Sequence, residues 1–157
     1  MHSLPLGLLI AFQAFVVAFI ALHDWIPLGR LNNVAAVQAA DPRLRLVLVT
    51  VFSTVPFAFG LGETVIHASG RLPGWLNWYL WISYGAAVYG LVRAWWGPYL
   101  LYDDPERVMR YRKMFADTLA FLPERNGIRP NTLHVILHGV IFLTLGDLLL
   151  LDLHWPA

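Results

Sequence analysis

The stretch 131-NTLHVILHGVIFLTLGDLLLLDL-153 decides the fold. From Thr132 to Leu153 it is apolar and long enough to cross a hydrocarbon core, which needs ~20 residues, yet it carries His134, His138 and Asp147. Ionisable groups inside a span are costly and normally face a helix partner or a polar cavity. The two histidines sit four residues apart, so both rings share one face of a helix.

Three further segments read as spans when the same length test is carried outward: about 5–22 (PLGLLIAFQAFVVAFIAL), about 46–67 (LVLVTVFSTVPFAFGLGETVIH) and about 76–99 (LNWYLWISYGAAVYGLVRAWWGPY). Composition agrees. Hydrophobic residues make up 58% of the 157 and charged residues 13%, against about 45–50% and about 25% in soluble domains. A water-soluble fold of this size cannot hide so much apolar surface, so lipid is the expected solvent. The first run follows only MHS, has no basic leader and stays bulky to its end, so it reads as a retained span and not as a signal peptide. No internal repeat or low-complexity linker divides the chain. The expected fold is an all-α integral membrane protein: a single domain over 1–157, four transmembrane helices in a bundle, and a cytoplasmic amphipathic helix between spans three and four.

The interfacial helix is expected at about 104–121. Asp104 is a good N-cap and Pro105 suits the first turn, while Val108, Tyr111, Phe115, Leu119 and Leu122 recur at helical spacing. Such a helix would lie on the inner membrane surface. ERNGIRPN at 124–131 then turns the chain back, with Gly127 and Pro130 as breakers. Pro56 predicts a kink in span two, and Gly85, Ala86, Ala87 and Gly90, with Gly60 in span two, predict close helix approach.

Arginine gives the direction of threading. Arg30, Arg43 and Arg45 lie between spans one and two, and Arg107, Arg110, Arg112, Lys113, Arg125 and Arg129 lie between spans three and four. Only Arg71 lies between spans two and three. The positive-inside rule then puts the first and third connections in the cytoplasm and both termini outside. A bacterial plasma membrane is the expected location. Trp75 and Trp78 at one end of span three, and Trp95, Trp96 and Tyr99 at the other, are expected to mark the two interfaces.

At 1.5 Å per residue, position converts to depth. His134, His138 and Arg93 fall on the inner side of the bilayer centre, level with His23 and Asp24 at the end of span one. Asn131, Trp95 and Trp96 lie near the same plane. Glu63, His67 and Asp147 fall on the outer side and are expected to share a second polar site. The tempting union of ETVIH (63–67) with HVILH (134–138) as one four-ligand metal site fails, because the two motifs lie roughly 15–25 Å apart along the normal.

The inner cluster is the candidate functional site. His134 and His138, with His23, have the donor type of a transition-metal or haem site, or the means to relay a proton. Asp24 would orient the site and Arg93 would hold an anionic group or pair with Asp24. Trp95, Trp96 and Asn131 would line a cofactor pocket. His2, Asp152 and His154 read as solvated ends. With no cysteine, disulfides, thiolate catalysis and cysteine-ligated metals are excluded. A formal net charge of +1 offers no field for nucleic acid. The expected function is a small membrane enzyme or cofactor-binding protein acting on a lipid-soluble small molecule. The alternatives are a non-catalytic subunit or scaffold packed on a membrane protein partner, or a homo-oligomeric transporter.

Overall fold

A computed structural model describes residues 3–154, and among them every extended regular element is helical. The order is α1 (Ser3–Leu22), a 3-10 turn (Gly29–Leu31), α2 (Val34–Ala40), α3 (Arg43–Ile66), α4 (Gly74–Leu91), a π-turn (Val92–Trp96), α5 (Gly97–Leu100), α6 (Pro105–Phe115) and α7 (Thr132–His154). Three helices are long and apolar enough to cross a membrane: α1, α3 and α7. The expected third span begins as α4, whose tryptophans, tyrosines and Asn77 make it less apolar, and continues through the π-turn into α5.

α1 packs on α3 and α7, and α4 packs on α7 and α3. Their common core is built from Leu9 and Val16 of α1, Leu76, Leu80 and Tyr84 of α4, and Ile141 and Leu148 of α7. α3 stands apart: only Leu46, Gly60 and Thr64 are buried on it, while Val49, Phe52, Val55, Phe59 and Ile66 point outward. An apolar face of this extent belongs against lipid or protein, not water.

α3 continues unbroken through Pro56 and is tied to α4 there, the Tyr79 hydroxyl donating to the Pro56 carbonyl at 2.9 Å. Close approach occurs at Gly60, where an added Cβ would lie 2.9 Å from Leu80 Cδ2. Gly85 and Gly90 have nothing within 4 Å of such an atom and Ala86 is exposed, so of the small residues of α4 only Ala87 packs against the core.

The two arginine-rich connections fold together at one end of the long helices. α2 packs on α6, and Asp41 pairs with both Arg45, at 2.9 Å, and Arg110. The Leu119 N–H donates to the Arg30 carbonyl at 2.6 Å. The short 67–73 connection lies at the other end.

α6 begins as expected, with the Asp104 carboxylate accepting from the Arg107 N–H at 3.1 Å. It stops at Phe115 and not at 121, because Thr118 folds back: its N–H and hydroxyl both donate to the Phe115 carbonyl, at 3.1 and 2.8 Å. Threonine competes in this way with helix propagation. The ring side of α6 is also turned inward. Tyr111 and Phe115 stack on Trp95 with centroids 4.4 and 5.3 Å away, so these rings meet protein where a membrane surface was expected. The return turn is a tight hairpin: Asn126 and Gly127 take φ of 49° and 72°, and Arg125 and Ile128 exchange both backbone hydrogen bonds at 3.0 and 2.8 Å. Asn-Gly is the dipeptide that such a turn favours.

Candidate functional site

Asn131 caps α7. Its side-chain oxygen accepts from the Leu133 N–H at 2.8 Å and the His134 N–H at 3.2 Å, and its amide donates to the Leu31 carbonyl at 3.0 Å. Ordering the first turn of α7 fixes where His134 points. Its ring lies among Phe19, His23, Trp95 and Phe115, with centroids 5.9, 5.4, 4.8 and 5.3 Å away. His138 follows one turn later, 6.4 Å from His134 and 5.9 Å from Trp96.

The π-turn is what presents both tryptophans. Its wider winding, seen in the Gly97 N–H donating to the Val92 carbonyl, shifts the helical phase so that consecutive Trp95 and Trp96 both meet α7. π-turns of this kind often mark functional sites. The sequence carried no signal for it beyond the Trp pair itself. Trp95 and Tyr99 are buried and Trp96 is half-buried, so these three form a packed aromatic cluster and not the interface belt expected of them. Trp75 and Trp78, at the other end of α4, are exposed.

His134 forms the floor of a cleft of about 480 Å³ whose walls are Trp95, Tyr111, Met114 and Phe115. The charged rim is internally neutralised: Arg107 pairs with Asp104 at 2.8 Å and Arg110 with Asp41, with Glu106 beside them. Burial holds the Tyr111 phenol above its ordinary pKa, opposed by Arg107. The phenol stays protonated and donates to the Ala94 carbonyl at 2.9 Å, fixing α6 over the π-turn.

No known family, curated protein or solved structure matches this chain.

His23 lies in the cluster, as expected, but does not offer a metal a lone pair. Its Nδ1 meets the Phe19 carbonyl at 2.9 Å and its Nε2 meets Asp24 at 3.2 Å. Among the described residues no group of three or more His, Asp or Glu side chains is gathered to hold a metal ion. Asp24 lies against His23, its Oδ1 3.2 Å from Nε2. It does not pair with Arg93, which is exposed on the far side of the π-turn in a separate groove with Tyr89 and Tyr102. The π-turn rotates Arg93 away as it brings Trp95 inward. Asn131 is a structural cap and lines no pocket of this cleft.

At the opposite end, Glu63 and His67 pair with each other at 3.7 Å, and Asp147 does not join them. Asp147 is buried on α7 with Oδ2 unpartnered among the described residues, as is His138 Nδ1. The polar residue missed at that end is Asp152. Far from being a solvated terminus, it accepts from Asn77 Nδ2 at 2.8 Å and Trp81 Nε1 at 2.9 Å. His2 and the side chain of His154 lie outside the described structure.

Proposed function

We propose that the chain is a four-span integral membrane protein, with α4 through α5 as the third crossing, that binds a lipid-soluble molecule carrying a planar, uncharged, hydrogen-bonding head. The observation that carries this reading is His134 at the floor of an aromatic cleft under α6. Trp95, Tyr111 and Phe115 give the cleft an aromatic lining, His134 supplies a hydrogen-bonding ring nitrogen, and the arginines at the rim are already paired. An anionic head, the preference expected when Arg93 was placed in the site, therefore finds no unpaired cation there. Neither a metal nor haem is needed. The two arginine-rich connections at one end favour that end as the cytoplasmic one, which puts both termini and the 67–73 connection outside. The long exposed apolar face of α3 supports lipid as the surrounding solvent.

The binding test uses a short-chain benzoquinone as probe, titrated calorimetrically into the detergent-solubilised protein. Saturable binding is expected, weakened about tenfold or more, ~1.4 kcal/mol, in both His134→Ala and Trp95→Ala. It should be unchanged in Phe142→Ala, whose ring lies on the outward face of α7. Equal binding by all four proteins, or none by the wild type, refutes the assignment.

A further inference from the structure

A second cleft, of about 500 Å³, opens at the other end of the molecule between the start of α4 and the end of α7. Its polar centre is Asp152, with Asn77, Trp78, Trp81 and Arg71 around it and Leu72 and Leu151 below. We propose that this cleft binds a phospholipid with a primary ammonium head group, phosphatidylethanolamine being the abundant example, in the outer leaflet.

The chemistry follows from how the carboxylate is held. Asn77 and Trp81 each donate one hydrogen bond, to Oδ1 and Oδ2 respectively. An ionised carboxylate has about four lone-pair sites, so two donors orient it and leave acceptor capacity toward the cleft. A primary ammonium brings three N–H donors to meet it, whereas a quaternary ammonium brings none. Trp81 is fixed by its hydrogen bond, and Trp78 is 71% exposed one turn away. Indole faces attract an ammonium within about 6 Å. The apolar floor of Leu72 and Leu151 suits the start of the acyl chains. Trp78 lies in the second turn of α4, near the depth of head groups, and Trp81 lies one turn deeper. The inference rests on the membrane-spanning reading above, and is independent of what the histidine cleft binds.

The test is native mass spectrometry of protein released from nanodiscs containing equal phosphatidylethanolamine, phosphatidylcholine and phosphatidylglycerol. The wild type should retain phosphatidylethanolamine over phosphatidylcholine by about tenfold or more, the lower end of the range expected of charge-assisted hydrogen bonds. Asp152→Asn should abolish that preference. Trp78→Ala, which touches neither hydrogen bond, should lower phosphatidylethanolamine retention in a folded protein even if Asp152→Asn does not fold. Equal retention of the three lipids by the wild type, or an unchanged preference in Trp78→Ala or in folded Asp152→Asn, overturns the proposal alone. Failure of the protein to enter nanodiscs overturns the membrane reading with it.

Discussion

Replacing Asn131 by alanine should destabilise the fold by about 2–4 kcal/mol, the sum of a lost cap and an orphaned acceptor. The first part comes from the side-chain oxygen, which accepts from the Leu133 and His134 N–H groups. Loss of such a cap costs about 1 kcal/mol. The second comes from the amide, which alone ties α7 to the Leu31 carbonyl across 100 residues of sequence. At a site where Asn131 is 1% exposed, a carbonyl left without its donor costs about 1–3 kcal/mol. Asn131→Asp keeps the cap but sets a carboxylate oxygen against the Leu31 carbonyl, so it should stay destabilised by at least the about 1–3 kcal/mol of the lost tie. Reversible unfolding in mixed micelles of increasing dodecyl sulfate gives these free energies. An alanine variant within about 0.5 kcal/mol of wild type, the size of an ordinary surface change, would refute the reasoning. An aspartate variant equal to wild type would refute the Leu31 tie alone.

The hairpin glycine gives a second prediction. Gly127→Ala meets both a positive φ of 72° and Val108 Cγ1 at 2.9 Å, whereas Gly29→Ala meets only a φ of 63° in open space. The former should cost about 2–4 kcal/mol and the latter about 1 kcal/mol, measured by the same unfolding assay; equal effects would mean that Val108 gives way. Asp24 gives a pH prediction. Burial raises its pKa, His23 opposing and Asp41 assisting. A carboxyl raised in the folded state contributes its stability below the unfolded value, about 3.9, and loses it as pH rises through the folded value. Relative to Asp24→Asn, the wild type should therefore lose stability as pH rises above about 4, and parallel pH profiles would contradict this.

How much was legible in the sequence depended on the kind of signal. Helix extents came from apolar runs, which is why α1 and α7 begin and end within two residues of expectation. The Asp104 cap and the Asn-Gly turn were readable because their chemistry is local. Depth arithmetic brings His23, His134, Trp95 and His138 to one level, since antiparallel helices share a common rise. What it could not give was azimuth. The π-turn inserts a phase shift that no residue pattern announces, and it sends Arg93 outward while turning Trp95 and Trp96 in. Thr118 ended α6 early through a hydrogen bond that competes with an otherwise helical pattern. Asp152 looked terminal in sequence, but Asn77 and Trp81, over 70 positions away, are its donors.

In the proposed topology the arginine-rich connections close the histidine cleft at the inner membrane face. The chain has no cysteine, so single substitutions report position cleanly. Ser69→Cys in the short connection and Lys113→Cys on α6 are both exposed sites. With a membrane-impermeant maleimide on intact cells, Ser69→Cys should label at once and Lys113→Cys only after permeabilisation. Labelling of Lys113→Cys from outside, with Ser69→Cys protected, would contradict the topology on which the cleft's assignment depends.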